Sequence, residues 1–126
     1  MKTILVVEDH DEFRSIVNDF LQVLQPDATV HNAMDGAAGL ALAQQLHPDL
    51  VLLDIHMPEK DGYQVAKQLH QDPDTRDIPI VIMTSARDAG PMLIELSHFC
   101  QGLLAKPFSF DDLSQVLAQL EEVSGQ

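Results

Sequence analysis

Apolar residues along this chain keep changing their spacing. Ile4-Leu5-Val6-Val7 is an unbroken apolar run, as expected of a strand buried on both faces, and it stops at Glu8-Asp9-His10-Asp11. Phe13, Ile16, Val17, Phe20, Leu21 and Leu24 then recur at helical spacing, marking an amphipathic helix that ends before Pro26. The segment 28–33 reads as a weaker strand, placed at a sheet edge by His31 and Asn32. Asp35-Gly36 opens a helix carrying Leu42 and Leu46, which ends at His47 before Pro48. Leu50-Val51-Leu52-Leu53 is a second buried strand, terminated by Asp54. A loop containing Pro58 and Gly62 leads into a helix with Tyr63, Val65, Ala66 and Leu69. Ile80-Val81-Ile82-Met83 is a third buried strand, ending at Thr84-Ser85. Pro91 suits a first helical position, and Leu93, Leu96 and Cys100 continue that helix. Leu103-Leu104-Ala105 is a short strand before Lys106-Pro107. Ser109 with Asp112 resembles a capping box, and Leu113, Val116, Leu117 and Leu120 form the last stripe.

Five strands thus alternate with five helices. Such alternation predicts an α/β fold, a doubly wound parallel sheet covered on both faces. No repeat or linker interrupts it, so residues 1–126 are expected to form one domain with a frayed end at Ser124-Gly125-Gln126.

Composition narrows the function classes. The 126 residues carry 7 Lys+Arg against 20 Asp+Glu, a formal net charge of −13, and are 45% hydrophobic. That is apolar enough for a core, and too acidic for a direct nucleic-acid partner or an anionic membrane surface. No apolar run approaches membrane-spanning length, and Met1-Lys2-Thr3 leads directly into the first strand without a signal-peptide pattern. The single Cys100 fits a reducing compartment, so a cytoplasmic location is expected.

In a doubly wound sheet, ligands sit outside the carboxyl ends of the strands. The residues just past the apolar runs are Glu8 and Asp9, Asp54, Thr84 and Lys106, and the fold gathers them at one sheet edge. Three carboxylates held together repel one another unless positive charge joins them. One Mg²⁺ with the Lys106 ammonium would balance the three, and hard oxygen donors suit that ion.

These segments carry a resemblance. VVED at 6–9, DIHMPEKDG at 54–62, TSA at 84–86 and KPF at 106–108 look like the receiver domain of bacterial two-component response regulators, the CheY-like family. The likeness runs from Lys2 to Leu120 with the motifs in order. It implies a flavodoxin-like, CheY-like sheet of strand order 2-1-3-4-5. Asp54 would be the phosphoacceptor, with Glu8, Asp9 and Asp54 holding Mg²⁺ together with the backbone carbonyl of His56. Thr84 would bond the phosphoryl oxygens, Lys106 would pair with the phosphorylated site, and the bond to Pro107 would be cis. The implied donor is a sensor histidine kinase or histidine phosphotransfer protein. The implied output is a downstream protein target met through the face of helix 4, strand 5 and helix 5, with homodimerisation on phosphorylation as a further expectation. Chemistry would be limited to self-phosphorylation and self-dephosphorylation, and His56 would tune how long the phosphoryl group survives.

Two positions depart from the family pattern. Leu103 stands where an aromatic rotor is usual, and Phe99-Cys100 replaces a small Gly-Ala pair. The expectation is that the signal is read through Phe99 or the fourth helix instead. Other readings are weaker. An aspartyl phosphatase wants an acid where His56 stands, and an FMN carrier wants hydroxyls and glycines where residues 8–11 are acidic. His10 and His56 raise a transition-metal site, but the carboxylates suffice for Mg²⁺. An excised receiver of a longer regulator, and a degenerate receiver used only for binding, complete the alternatives.

Overall fold

The computed structural model describes residues 1–57, 61–85 and 90–124. Its strands are β1 (Thr3–Val7), β2 (Thr29–Ala33), β3 (Leu50–Asp54), β4 (Ile80–Thr84) and β5 (Gly102–Ala105). Between and after them run α1 (Asp11–Leu24), α2 (Gly36–Leu46), α3 (Gly62–Gln71), α4 (Gly90–Ser97) and α5 (Phe110–Ser124). All strands pair in parallel, in the order β2-β1-β3-β4-β5. The doubly wound α/β fold and its strand order are therefore as the sequence and the resemblance predict.

Alternation along each strand divides the core in two. Leu5, Val7, Val51, Leu53, Ile80 and Ile82 face Ala43 of α2, Val65, Ala66 and Leu69 of α3, and Leu96 of α4. Ile4, Val6, Leu50, Leu52, Val81, Met83 and Leu104 face Val17 and Leu21 of α1 and Leu113, Leu117 and Leu120 of α5. Strands β1, β3 and β4 are buried on both sides, which is why their sequences read as continuous apolar runs. Strand β2 is the weaker edge foreseen, and β5 closes the other edge with Leu103 exposed.

Several element details differ from the sequence reading. Ala28 lies outside β2, in a turn where its N–H donates to the Gln25 carbonyl. The buried line of α2 is Gly36, Gly39 and Ala43, with Leu42 and Leu46 only half-buried. Small residues win there because α2 lies close on β1: a β-carbon on Gly39 would come 2.8 Å from both Val7 γ-carbons. Ile16 is exposed and drops out of the α1 stripe, in which Val17 and Leu21 are fully buried and Phe13, Phe20 and Leu24 pack against the core partly buried. Helix α4 ends at Ser97, and Cys100 lies beyond it in the turn feeding β5, where its N–H still bonds the Leu96 carbonyl at 2.8 Å. Burial pushes the Cys100 thiol up to about 12, as befits a packed apolar group. Pro91 sits in the first turn of α4, while Pro58, Gly125 and Gln126 lie outside the described residues.

The capping box forms as written in the sequence. Asp112 N–H donates to Ser109 Oγ at 3.1 Å, and Ser109 N–H donates to the Asp112 carboxylate at 2.9 Å. His47 caps α2 with φ 47°, a left-handed stop before Pro48. No helix of the described residues is long and apolar enough to cross a membrane.

Candidate functional site

Strand register brings the chemistry together. β1 is flanked by β2 and β3, so the chain reverses its direction of winding between β1 and β3 and leaves a crevice at their carboxyl ends. Val7 pairs with Leu53, Asp54 with Met83, and Thr84 with Ala105. Glu8, Asp54, Thr84 and Lys106 consequently emerge within one layer, although 98 positions separate Glu8 from Lys106.

Glu8 is fully buried with both carboxylate oxygens engaged. Oε1 accepts from Lys106 Nζ at 2.5 Å and Oε2 accepts from the His10 N–H at 3.1 Å. Asp54 is buried too, its Oδ1 accepting from the His56 N–H at 3.2 Å and its Oδ2 lying 3.4 Å from Lys106 Nζ. Lys106 therefore bridges the two acids, and its ammonium stands 4.6 Å over the ring of Phe13. The bond from Lys106 to Pro107 is cis, as the resemblance implied.

A cavity of about 570 Å³ opens above these groups, lined by Asp9, His10, Asp54, His56, Ser85 and Lys106. Thr84 is buried and not among the lining residues, its hydroxyl 3.5 Å from the carbonyl of the lining residue Ser85, a long contact. Ligand atoms of Glu8, Asp9 and His10 fall within 4.8 Å of one another. A larger depression of about 670 Å³ lies at the opposite end of the sheet, around Met1, His47, Asp49 and Ile78. There the Asp49 carboxylate accepts from the N–H groups of Thr3 and Lys2, which hold it below its ordinary range. Asp49 is thus spent on fastening β1 to the start of β3.

Electrostatics single out Asp54. Burial, and then the neighbouring Glu8 charge, push its carboxyl up to about 7, against the opposing pull of Lys106 and the His56 N–H. Glu8 and Asp54 share the one ammonium and Asp9 lines the same cavity, so carboxylates outnumber cations there. Oxygen donors in surplus fit a hard divalent cation such as Mg²⁺.

Sequence reasoning missed three contributors. Arg14 donates from Nη1 to the Glu8 carbonyl at 2.9 Å and pairs with Asp11 at 2.6 Å, fastening the start of α1 to the end of β1. Phe13 reads in sequence as part of a helical stripe, yet its ring also meets Lys106. Gly62 sits so close to the end of β3 that a β-carbon there would lie 2.0 Å from the Asp54 carbonyl oxygen. Only the last had a sequence signal, the glycine closing the segment after Asp54. Phe99, one of the two routes expected for the signal beside the fourth helix, lies apart from the crevice. It precedes β5 at the amino-terminal end of the sheet and stacks on His70 at 4.6 Å, away from Thr84.

Comparisons with known proteins agree with this geometry. Residues 4–118 match the family model described as the response regulator receiver domain. The DNA-binding dual master transcriptional regulator RpaA of Synechocystis is 33% identical over 95% of this chain and 48% of its own length. The chain spans about half the length of the first curated relatives it matches. Among solved structures, chemotaxis protein CheY4 of Vibrio cholerae superposes with a TM-score of 0.82 at 26% identity, covering 95% of this chain and 98% of that one. The receiver domain of sensor histidine kinase PA1611 from Pseudomonas aeruginosa, solved with a magnesium ion in its active site cleft, gives 0.83 at 26% identity over 94% and 96%. Strand order, crevice chemistry and a match over nearly the whole sequence converge: the chain belongs to the response regulator receiver domain family of two-component signalling.

Proposed function

We propose that Asp54 accepts a phosphoryl group from a histidine of a partner kinase or phosphotransfer protein and that the resulting acyl phosphate switches partner binding. The observation that carries this reading is Lys106 Nζ between Glu8 Oε1 at 2.5 Å and Asp54 Oδ2 at 3.4 Å, at the floor of a cavity wide enough for a phosphoryl group. An Asp54 carboxylate oxygen attacks phosphorus, the phosphorus–nitrogen bond to the donor histidine breaks, and the imidazole nitrogen keeps the electron pair. Hydrolysis is a second transfer of the same kind: water attacks phosphorus, the phosphorus–oxygen bond to Asp54 breaks, and inorganic phosphate and the Asp54 carboxylate are released.

Each residue has a physical role in that scheme. Lys106 offers its ammonium to the new negative charge and leaves Glu8 as the other anchor. Thr84, with no short acceptor among the described residues, is available to donate to a phosphoryl oxygen. Glu8, Asp9, Asp54 and the His56 carbonyl would hold Mg²⁺, which when bound supplies charge neutralisation and orients the transferring oxygens. His56 and Ser85 border the cavity where attacking water must enter, so they are placed to set the lifetime of the phosphoryl group.

A route to the output face runs through α3. Gly62 touches the Asp54–Ile55 backbone and donates its N–H to the Ile55 carbonyl at 2.8 Å. The next residue, Tyr63, donates its hydroxyl to Glu95 of α4, which Lys67 also meets at 3.6 Å. Leu103 lies on β5 with α4 residues on one side and α5 residues on the other. This supports signal output through α4, β5 and α5 without an aromatic rotor. The net charge of −13 argues that DNA contact, where a longer regulator has it, belongs to another domain. A protein partner in the cytoplasm, and a homodimer formed on phosphorylation, complete the proposal.

Acetyl phosphate with Mg²⁺ should add one phosphoryl group to the wild type and none to Asp54→Asn, read by intact mass. Equal labelling of both would overturn the assignment. An unlabelled wild type would favour a receiver that only binds.

A further inference from the structure

We propose that Phe13 is a positioning residue for phosphoryl transfer, its ring face fixing the Lys106 ammonium in the gap between Glu8 and Asp54. The inference rests on Asp54 being the phosphoacceptor. Lys106 Nζ has three N–H donors. Glu8 Oε1 at 2.5 Å and Asp54 Oδ2 at 3.4 Å account for two directions, and the Phe13 ring centroid at 4.6 Å closes a third side. An aromatic face carries negative potential, so it attracts the ammonium without removing a proton from it or competing as a hydrogen-bond acceptor.

The ring is itself held. Phe108 meets it edge-on, with centroids 5.2 Å apart and planes at 78°. Phe108 is buried and comes directly after Lys106-Pro107, so one segment supplies both the cation and the aromatic wall behind its partner. Arg14, the next residue along α1, grips the Glu8 carbonyl at 2.9 Å. The first turn of α1 is thus fastened to the end of β1 at the point where Phe13 reaches the lysine.

Position matters here because a lysine stem is flexible and its head prefers water. Phosphoryl transfer depends on charges held in place before the reaction, so an ammonium that wanders into solvent contributes less. Leucine at position 13 would preserve the apolar packing against the core while removing the ring face.

The test uses the full chain with Mg²⁺ and acetyl phosphate, tracking phosphorylation of Asp54. Phe13→Leu should lower the limiting rate about fivefold to tenfold, the scale of a partly desolvated cation–π contact, with little change in the half-saturating donor concentration. Phe13→Tyr, which keeps the ring, should stay within about twofold of wild type. In a Lys106→Met background, Phe13→Leu should cause no further loss. Independently of activity, Lys106 Hε protons of the magnesium-free protein should show an upfield ring-current shift that Tyr keeps and Leu abolishes. Unchanged rate in Phe13→Leu, equal losses in the Tyr and Leu variants, or the same loss with and without Lys106 would each overturn the proposal. Label retained in Asp54→Asn would overturn the phosphoacceptor reading and this inference with it, recognisable because the label then lies on another residue.

Discussion

Replacing Asp54 by asparagine should stabilise the metal-free protein at and above neutral pH. The Asp54 carboxyl is pushed from 3.8 up to about 7, first by burial and then by Glu8, with Lys106 pulling the other way. A raised value means the fold binds the proton more tightly than the unfolded chain does. The associated stability is full below the unfolded value near 3.8, erodes as pH rises, and is gone above about 7. At roughly 1.4 kcal/mol per unit, a shift of about three units bounds the loss near 4 kcal/mol. Asparagine keeps an acceptor for the His56 N–H and the volume of the side chain, but gives up attraction to Lys106 at 3.4 Å. Allowing for that loss, a net gain of about 2 kcal/mol at pH 8 is expected. Urea denaturation in EDTA from pH 4.5 to 8.5 should show the two proteins close together in acid, drawing apart as pH rises to about 7, and holding a constant gap above it. Adding Mg²⁺ at pH 8 should raise the wild type more than the variant. An asparagine variant no more stable than wild type at pH 8, or a difference that ignores pH, would refute the reasoning. Either result would mean that Lys106 alone neutralises Asp54 in the metal-free fold.

Lys106→Met leaves the buried Glu8 and Asp54 without their cation and should cost about 3 kcal/mol at pH 8, less at pH 5, by the same denaturation assay. A pH-independent cost would point to lost packing instead. Gly62→Ala places a β-carbon 2.0 Å from the Asp54 carbonyl oxygen, so the end of β3 must move. The expected result is a loss of about 2 kcal/mol or more in stability, with slower phosphorylation than stability alone explains, by thermal melt and mass labelling. Ser109→Ala removes one half of the capping box and should cost about 1 kcal/mol while leaving phosphorylation at the wild-type rate.

How much was legible in the sequence depended on what each residue does along the chain. Buried parallel strands write themselves as apolar runs, so β1, β3 and β4 and the residues at their ends could be read directly, and with them Glu8, Asp54 and Thr84. Helices were legible where a stripe of large residues meets the core, as in α5. They were less so in α2, where closeness to β1 requires Gly39 and Ala43, and small residues carry little periodic signal. Hidden entirely were contacts made by residues already explained by something else. Phe13 fits a helical stripe and Arg14 fits a solvated face, so neither looks unusual until the fold brings Lys106 and the Glu8 carbonyl to them. Phe99 shows the limit from the other side. A bulky residue in an unusual slot suggested a switch, but that slot lies at the wrong end of the sheet.

The same reasoning explains why the charge shortage belongs in the crevice rather than on the surface. Asp11 and Asp49 have each found partners nearby, Asp11 the Arg14 guanidinium and Asp49 two backbone N–H groups. Exposed acids elsewhere are screened by water and cost little. Glu8 and Asp54 are removed from water yet share one ammonium, and burial, with the Glu8 charge beside it, pushes the Asp54 carboxyl up to about 7. A group in that condition would gain from positive charge placed beside it, and a divalent cation held by these residues would favour loss of its proton. On the proposed reading, the carboxylate that results would be the form able to attack phosphorus. If Asp54 is the proposed phosphoacceptor, burial would make it depend on a cation, coupling readiness to react with occupancy of the crevice instead of leaving a permanently charged nucleophile in the fold.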